Sequence, residues 1–344
     1  MYFVDNKGIT DPRINLAIEE YLLKTMDVEK DSFLLFYINE PSIIIGKNQN
    51  TAEEINTDYV DSNGIHVVRR LSGGGAVYHD LGNLNYSFIT VDDGNSFRNF
   101  RKFTEPVVQA LQSLGVNAEL SGRNDLMAEG RKISGNAQFS TRGRMFSHGT
   151  LMFDTEVDAV VSALKVSKEK IESKGIKSIR SRVANISEFL KEPMTVTEFR
   201  AAILNSLFEG EENVKYWELT EEDWENIREL SRQRYGNWDW NYGKSPKFNM
   251  KHSHRFPVGG IDVRLQVENG AVHDANIYGD FFGVGDVEEI EKAIIGVKYE
   301  RAALDESLNG FDIPKYLGGI TKEEFLKLIY EEFMKSLLLS RLFC

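Results

Sequence analysis

The sequence predicts an α/β protein built from two domains. Short apolar runs rich in β-branched residues alternate with amphipathic helical segments over the first 235 residues. Residues 236–248 are rich in Gly, Asn, Trp and Pro, which is typical of a linker. A chain of 344 residues also has the length of two domains. We therefore expect a larger domain over residues 1–245 and a small α+β domain over residues 246–344.

Local patterns define the elements of the first domain. Pro12 suits the first turn of a helix over residues 12–26, whose apolar side chains share one face. A second helical period covers residues 97–114 and ends at Gly115. Strands are predicted for residues 33–38, 42–45, 66–70 and 84–91, and a meander of strands for 125–127, 132–139 and 145–153.

The rest of the chain is predicted as helices followed by a mixed tail. Residues 156–190 are helical and loop-like, and seven basic residues accompany two acidic ones from Lys165 to Arg182, a run that a solvated helix also explains. Thr220 and the three acidic residues after it are typical of a helix N-terminus. Helices are predicted for residues 195–208, 220–235, 287–295 and 322–338, and strands for 253–256, 261–268 and 271–278.

Composition excludes several classes of protein. A formal net charge of -12 argues against a nucleic-acid binder, which needs a basic face. The single cysteine, Cys344, rules out disulfides within the chain and a cysteine zinc site, and is typical of a reducing cytosol. The first residues lack the pattern of a signal peptide, and no apolar run approaches the ~20 residues of a membrane span. We expect a cytoplasmic protein with no nucleic-acid or membrane partner.

Residues 69–79, Arg-Arg-Leu-Ser-Gly-Gly-Gly-Ala-Val-Tyr-His, form the most informative segment. Glycine lets a ligand approach the backbone, and the arginines supply fixed charge for a carboxylate or phosphate. The spacing fits neither a P-loop nor a dinucleotide-binding fingerprint. An anion-binding loop is one interpretation, and an ordinary glycine-rich turn is the other.

Three later segments carry further candidate residues. Lys132 lies in a strand pattern, where an inward side chain needs an anionic partner and an outward one is an ordinary surface lysine. Asn124 and Asp125 offer oxygen ligands for Mg²⁺, although this pair is also common in turns. His148 suits either a ligand contact or a structural role, and no Ser, His and Asp arrangement indicates a hydrolase triad.

These blocks together resemble the lipoate–protein ligase family. The matching segments run in order over residues 10–190: 69–83, 121–126, 131–137, 148–151 and 174–185. Five spaced blocks make the resemblance specific. Residues 246–344 resemble, through weaker motifs, the accessory domain of the two-domain bacterial ligases. The resemblance implies a mixed-sheet catalytic domain of the biotin and lipoate ligase type, followed by a small α+β domain.

The resemblance also implies a reaction. Lipoate and ATP, with Mg²⁺ expected and Asp125 as its candidate ligand, give lipoyl-adenylate and pyrophosphate. The lipoyl group then passes to a lysine on an acceptor domain of a 2-oxoacid dehydrogenase complex or of the glycine cleavage carrier protein. Apolar pockets separate neighbouring chain lengths by only ~1–3 kcal/mol per methylene, so octanoate is a second candidate substrate.

Roles for individual residues follow from the resemblance. Lys132 is expected to contact the lipoyl carbonyl and the α-phosphate as the catalytic residue, and Arg70 to contact a phosphate or carboxylate. The basic segment that ends at Arg180-Ser181-Arg182 is expected to close over the adenylate and exclude water. The implied binding residues are Arg70, Gly73, Gly74, Gly75, Ala76, Val77, Tyr78, Asn83, Lys132, His148, Gly149, Arg180 and Arg182.

Other functions remain open on the sequence alone. A cysteine-dependent acyltransferase of the same superfamily needs a positioned thiolate, and Cys344 is far in sequence from every motif. Biotin–protein ligases share the fold but have a different glycine-rich loop. A non-catalytic binder of lipoyl domains is disfavoured by the presence of Lys132 and Arg70. Acyl activation without transfer to protein is distinguished by an assay of the acceptor.

Overall fold

The computed structural model describes residues 1–164, 182–243 and 248–331. These residues form two compact units. The N-terminal unit contains residues 1–45, 51–70 and the described residues from 76 to 243, and the C-terminal unit contains residues 46–50, 71–75 and the described residues after 243. The division predicted at residue 245 is linear along the chain and does not anticipate the two short segments.

The elements of the N-terminal unit alternate as the sequence predicts. Its strands are β1 (Tyr2–Asp5), β2 (Phe33–Ile38), β3 (Ser42–Ile45), β4 (His66–Arg69), β5 (Val77–His79), β6 (Asn83–Val91), β7 (Ala118–Ser121), β8 (Asp125–Ala128), β9 (Arg131–Thr141), β10 (Arg144–Met152) and β11 (Tyr216–Trp217). Its α-helices are α1 (Pro12–Thr25), α2 (Thr51–Glu54), α3 (Thr57–Ser62), α4 (Phe100–Ser113), α5 (Val157–Ala163), α6 (Val196–Leu207), α7 (Glu221–Leu230) and α8 (Trp238–Tyr242).

Within the described residues, eight strands form the main sheet in the order β11-β1-β2-β6-β10-β9-β8-β7. The strand β1 runs parallel to β2 and β11, whereas β2, β6, β10, β9, β8 and β7 pair antiparallel. A second sheet has the order β4-β3-β5, with β3 parallel to β4 and antiparallel to β5. The predicted mixed sheet is confirmed.

One face of the main sheet packs on a hydrophobic core. Leu84 and Tyr86 of β6 and Phe36 of β2 are buried against Val107 of α4 and Phe199 of α6. These side chains alternate along their strands with residues that point to the opposite face. The core therefore occupies one side of the sheet and leaves the other side for α1 and the candidate site.

Capping side chains set the helix ends. Asp11 accepts a hydrogen bond from the Arg13 amide at 2.9 Å, and Pro12 occupies the first helical position of α1. Thr220 and Asp223 exchange side-chain to backbone hydrogen bonds of 3.2 and 2.7 Å, which confirms the predicted N-terminus of α7. Because Asn99 caps α4, that helix starts three residues after the predicted position.

The predicted linker over residues 236–248 is wrong for its first half. Residues 238–242 form α8, which belongs to the N-terminal unit. The buried Asn241 accepts a hydrogen bond from the Arg69 amide at 2.9 Å and donates to the Tyr235 carbonyl at 2.7 Å. The glycine and asparagine content thus reflects a short capped helix rather than an unstructured connection.

The C-terminal unit has the α+β composition that the sequence predicts. Its antiparallel sheet consists of β12 (Met250–Phe256), β13 (Gly259–Glu268) and β14 (Ala271–Gly279). Its α-helices are α9 (Val287–Ile294), α10 (Arg301–Ser307), α11 (Ile313–Tyr316) and α12 (Lys322–Leu326). Val263, Ile277, Ile290 and Phe325 lie in its core. No helix in the described ranges has the length and apolar composition to cross a membrane.

Candidate active site

Strand register places small and polar side chains side by side on the face of the main sheet opposite the core. Ser87 lies opposite His148, which lies opposite Ala137, and Asn85 lies opposite Thr150. Directly opposed residues point to the same face. We call Asn85, Ser87, Ala137, His148 and Thr150 the polar face. A largely buried sheet face of this composition is not a hydrophobic core and is suited to contact with a ligand.

Helix α1 contributes a buried carboxylate to the polar face. Glu19 Oε1 lies 2.9 Å from His148 Nδ1, and both side chains are buried. The ring of Phe146 packs at 4.8 Å from that of His148. The contact with Glu19 holds the His148 ring in one orientation, with Nε2 on the other side. Glu19 was not predicted as a site residue, and its sequence signal is a carboxylate beside the apolar positions of α1.

The two arginines of the glycine motif have different environments. Arg69 is bound by its own unit: its Nε donates to the Trp240 carbonyl at 2.8 Å and its Nη2 to the Thr51 hydroxyl at 2.7 Å. These bonds connect β4 to α8 and α2. Arg69 is therefore a structural arginine.

Arg70 is a buried cation. Its side chain is 5% exposed, and its Nη1 donates to the Ile44 carbonyl at 3.0 Å. Burial lowers the pKa of Arg70 to about 10, while neighbouring Tyr37 and Glu19 act in the opposite direction. Arg70 stays protonated at neutral pH, so it brings a fixed positive charge close to the Glu19 carboxylate that faces His148.

The three glycines of the triplet belong to the C-terminal unit, and each has a different environment. A methyl group at Gly73 would lie 2.3 Å from the Phe281 carbonyl oxygen, so close packing explains this glycine. Gly74 has φ +93°, which favours glycine, and its carbonyl oxygen lies where a methyl group at Gly46 would be, 1.9 Å away. Gly75 is exposed, and a methyl group there would meet no heavy atom within 4 Å. Packing therefore does not account for Gly75.

Lys132 lies at the start of β9, beside residues 182–184. Its amide donates to the Arg182 carbonyl at 2.7 Å, and its carbonyl accepts from the Ala184 amide at 2.9 Å. The Lys132 side chain is 38% exposed, and its Nζ lies 2.8 Å from Asp125 Oδ1. The lysine is neither fully inward nor a plain surface residue. A partly exposed ion pair is weak, so a phosphate or carboxylate of a substrate can replace Asp125.

The Lys132 ammonium lies over Gly135. A methyl group at Gly135 would be 3.2 Å from Lys132 Nζ. The Gly135 amide donates to Thr150 Oγ1 at 3.2 Å, and Thr150 belongs to the polar face. The glycine thus lets the lysine side chain lie close to the sheet, with its charge at the end of the polar face.

His79 is a second buried histidine, and it was missed as a site residue although it ends the glycine motif. Its Nδ1 lies 3.0 Å from Asn39 Nδ2. Burial, with the neighbouring charges of Arg70 and His148, lowers the pKa of His79 to about 3. The ring is therefore neutral at physiological pH and lies near two residues of the candidate site.

Asn83 and Gly149 lie on opposite faces of the sheet. The buried Asn83 donates from Nδ2 to Asn85 Oδ1 at 3.0 Å, which extends the polar face. Gly149 faces the core, where a methyl group would lie 2.2 Å from Asn136 Oδ1 and 2.6 Å from the Tyr86 hydroxyl. Packing explains Gly149, and its contact with a ligand stays a prediction.

Residues 76–78 lead from the glycine triplet into β5. Val77 pairs with Ile44 and Tyr78 with Ile43, and the side chains of Ala76, Val77 and Tyr78 are half-buried. Burial, assisted by the charge of Asp80, raises the pKa of Tyr78 to about 12. Its hydroxyl keeps its proton at neutral pH and is a hydrogen-bond donor.

The remaining predicted residues concern the basic segment and the metal. Arg180 lies outside the described residues, and Arg182 has an exposed side chain. Across the described ranges, no group of three or more His, Cys, Asp or Glu side chains is arranged to hold a metal ion. Asp125 is a single carboxylate paired with Lys132, so its role as a metal ligand stays a prediction.

Comparisons with known proteins identify the family of the chain. The family model described as lipoyl protein ligase A/B catalytic domain matches residues 11–208, and the model described as bacterial lipoate protein ligase C-terminus matches residues 245–329. The chain is 66% identical over 332 residues to lipoate-protein ligase LplJ of Bacillus subtilis, covering 96% of this chain and 100% of the relative. It is 55% identical to lipoate–protein ligase 1 of Staphylococcus aureus, with coverage of 96% and 100%.

Solved structures show the same relationship. A bipartite lipoate protein ligase of Thermoplasma acidophilum, studied with its E2 lipoyl domain, is 33% identical with a TM-score of 0.64, covering 72% of this chain and 98% of that chain. A lipoate-protein ligase A structure bound with ATP is 31% identical with a TM-score of 0.58, covering 71% and 97%. With family models matching both parts of the sequence and two relatives matched over their whole length, the chain belongs to the lipoate–protein ligase family.

Proposed function

We propose that this protein is an ATP-dependent lipoate–protein ligase, which activates lipoate as lipoyl-AMP and transfers the lipoyl group to a lysine of an acceptor domain. The observation that carries the proposal is the Lys132 ammonium over Gly135, at the end of the buried polar face. Family membership supplies the reaction class, and the named relatives are lipoate–protein ligases.

In the first step a lipoate carboxylate oxygen attacks the α-phosphorus of ATP. A new phosphorus–oxygen bond forms, the bond between the α-phosphorus and the bridging oxygen breaks, and diphosphate leaves. Two anions must approach, so the step needs a cation between them. Lys132 takes this role by exchanging Asp125 for the reacting oxygens, and buried Arg70 holds a further phosphate or carboxylate oxygen.

In the second step the neutral ε-amine of the acceptor lysine attacks the acyl carbon. The amide bond forms, the bond from the acyl carbon to the phosphate oxygen breaks, AMP leaves and the nitrogen loses a proton. This route needs no covalent intermediate on the enzyme. It agrees with a sequence whose single cysteine, Cys344, lies far along the chain from every motif.

The residues proposed to contact the nucleotide and the acyl chain come from the glycine motif and from the main sheet. In the motif these residues are Gly73, Gly74, Gly75, Ala76, Val77 and Tyr78, and in the sheet they are Asn83, His148 and Gly149. The open environment of Gly75 supports a close approach of ligand to backbone at that position. A Mg²⁺ ion that arrives with ATP needs one carboxylate besides phosphates and water, and Asp125 fits that need. When bound, the ion neutralises phosphate charge.

The basic segment that precedes residue 182 is proposed to retain the adenylate. The segment ends at Arg182, whose carbonyl accepts a backbone hydrogen bond from the Lys132 amide at 2.7 Å, so this end of the segment lies beside the catalytic lysine. Arg180 and Arg182 then contact the adenylate phosphate and keep water from it. The positive charge of the segment also attracts an acidic acceptor.

The acceptors we propose are the lipoyl domains of 2-oxoacid dehydrogenase complexes and the carrier protein of glycine cleavage, in the cytoplasm. The Thermoplasma relative studied with its E2 lipoyl domain supports the first class. Octanoate is proposed as a weaker alternative substrate, because an apolar pocket distinguishes similar chains by only ~1–3 kcal/mol per methylene.

The test is intact-mass spectrometry of a purified lipoyl domain after incubation with the protein, Mg-ATP and lipoate. The expected result is a mass gain of one lipoyl group that requires both ATP and Lys132, with Lys132→Ala as the control. Pyrophosphate release without a mass gain would indicate activation without transfer, or a different acceptor. The absence of both the mass gain and pyrophosphate release would indicate a non-catalytic binder and overturn the proposal.

A further inference from the structure

His79 carries a ring nitrogen that the described structure does not use. The imidazole ends β5 and is 3% exposed. Its Nε2 is buried and has no hydrogen-bond partner within residues 1–164, 182–243 and 248–331. Its other nitrogen, Nδ1, lies 3.0 Å from Asn39 Nδ2. Whether Nε2 is a donor or an acceptor depends on the tautomer, and the contact with Asn39 decides it.

Two buried asparagines, Asn6 and Asn15, fix the orientation of the Asn39 amide. Asn6 donates from Nδ2 to the Ile9 carbonyl at 2.8 Å and to Asn15 Oδ1 at 2.9 Å, while its Oδ1 accepts from the Gly8 amide at 3.2 Å. Asn15 donates from Nδ2 to the Ile9 carbonyl and to Asn39 Oδ1, each at 2.9 Å. A carbonyl can only accept and a backbone amide can only donate, so each side-chain amide has one orientation. Asn39 therefore turns its Nδ2 toward the imidazole.

The tautomer of His79 follows from this relay. An amide Nδ2 donates, so His79 Nδ1 must be the unprotonated acceptor. Burial and the charges of Arg70 and His148 keep the pKa of His79 low, at about 3, so the ring has one proton. That proton lies on Nε2. A buried N–H donor without a hydrogen-bond partner is costly in free energy. The presence of such a donor near Arg70 therefore points to a bound ligand that accepts a hydrogen bond from it.

We propose that Asn39 is a positioning residue, which with Asn15 and Asn6 holds His79 in the Nε2–H tautomer so that this N–H binds a carboxyl oxygen of the acyl substrate. This inference rests on the proposed ligase function. An N–H donor requires an acceptor, and the neighbouring Arg70 cation favours an anionic one. Carboxylate oxygens are stronger acceptors than the sulfur atoms of lipoate, which are weak ones.

The relay is tested first by the position of the proton. Asn39→Asp keeps the side-chain shape and still accepts from Asn15 Nδ2, but its second oxygen accepts from the ring and moves the proton to Nδ1. Histidine-selective ¹⁵N NMR of the full chain is expected to show a neutral Nε2–H ring that His79→Gln removes, and an Nδ1–H ring in Asn39→Asp. An Nδ1–H or doubly protonated His79 in the native chain at pH 7 would overturn the relay.

Kinetics then test the role of the donor through a double-mutant cycle. In lipoate-dependent ATP cleavage, Asn39→Asp is expected to raise the KM for the acid by about 10- to 100-fold and to change the KM for ATP by less than about twofold. The amide of His79→Gln donates whatever residue occupies position 39. In that background Asn39→Asp is therefore expected to change the KM for the acid by less than about twofold.

Three results would count against the proposal. An equal effect of Asn39→Asp in both backgrounds would indicate a purely structural asparagine. An effect with lipoate and none with octanoate would move the contact from the carboxyl group to the sulfur atoms. An unchanged KM for both acids would show that the donor does not contact the acid.

Failure of the proposed function has a different signature. A native chain that releases no pyrophosphate from ATP and lipoate would overturn the ligase function, while the NMR pattern still reports the tautomer. The comparison of Asn39→Asp in the two backgrounds then uses the calorimetric dissociation constant of lipoate. The expected fold-changes and the contradicting results are the same for this constant as for the KM.

Discussion

The glycine triplet offers a matched pair of substitutions that separates packing from ligand contact. Gly73→Ala places a methyl group 2.3 Å from the Phe281 carbonyl oxygen, and because that atom belongs to the backbone, the C-terminal unit must shift to accommodate it. Overpacking of this kind destabilises by roughly 1–3 kcal/mol. Gly75→Ala meets no heavy atom within 4 Å, and its φ lies outside the left-handed region, so its free energy of unfolding changes by less than about 0.5 kcal/mol.

The expected effects on substrate binding are reversed. Gly75 is the exposed glycine of the triplet, and a methyl group there fills space next to the backbone that the proposal assigns to ATP or lipoate. Loss of one close contact or hydrogen bond costs about 1.4 kcal/mol, so we expect the KM for the affected substrate to rise about tenfold. Gly73→Ala, measured under conditions where it is folded, is expected to raise the KM less than Gly75→Ala does, because its added methyl group points at the Phe281 carbonyl and not into open space.

Urea unfolding followed by circular dichroism and steady-state pyrophosphate release measure the two effects on the same preparations. We expect a lowered unfolding midpoint for Gly73→Ala and a raised KM for Gly75→Ala. A native KM for both ATP and lipoate in Gly75→Ala would refute the assignment of a ligand contact to this position. A native unfolding midpoint in Gly73→Ala would refute the explanation of Gly73 by close packing.

Three further predictions follow from the site. Lys132→Ala is expected to keep its unfolding midpoint and to slow pyrophosphate release by at least about 10²-fold, and normal release from the folded variant would contradict its catalytic role. Arg180→Ala combined with Arg182→Ala is expected to weaken lipoyl-AMP binding in a filter assay, and unchanged affinity would remove the proposed adenylate contact. Because burial holds the pKa of His79 at about 3, below its unfolded value, its contribution to stability is present above about pH 6.5 and is lost as pH falls toward 3. His79→Gln should flatten acid unfolding in that window, and an unchanged profile would contradict the burial of a neutral ring.

Much of the fold follows from local sequence, because helix and strand patterns report burial directly. The strands around the glycine motif and the capped helix at Thr220 lie close to their predicted positions. The helix over residues 238–242 was missed, since its stability comes from long-range contacts such as the Asn241 bond to the Arg69 amide. No local pattern reveals that an asparagine will find a partner 172 positions earlier in the chain.

The candidate site was predictable where a single residue carries unusual chemistry, and less so where pairs of residues do. Lys132 stood out as a lysine in a strand with glycines near it, and the structure places it over one of them, Gly135. Glu19 and the relay from Asn6 to His79 did not stand out. Each of these residues has an ordinary local context, and its significance comes from burial beside a partner that register brings from another element.

The arginine pair shows why neighbours in a motif need not share a role. Adjacent residues in extended chain point to opposite sides, so the guanidinium groups of Arg69 and Arg70 have separate surroundings. Arg69 is occupied by Thr51 and Trp240, and this bonding fixes the end of β4 from which Arg70 projects. Arg70 is buried near Glu19, whose negative charge offsets part of the cost of burying the Arg70 cation, whereas burial raises the pKa of the nearby Tyr37 and keeps its hydroxyl neutral. The first arginine thus gives the second a fixed position, and the second keeps a buried positive charge where an anionic substrate is required.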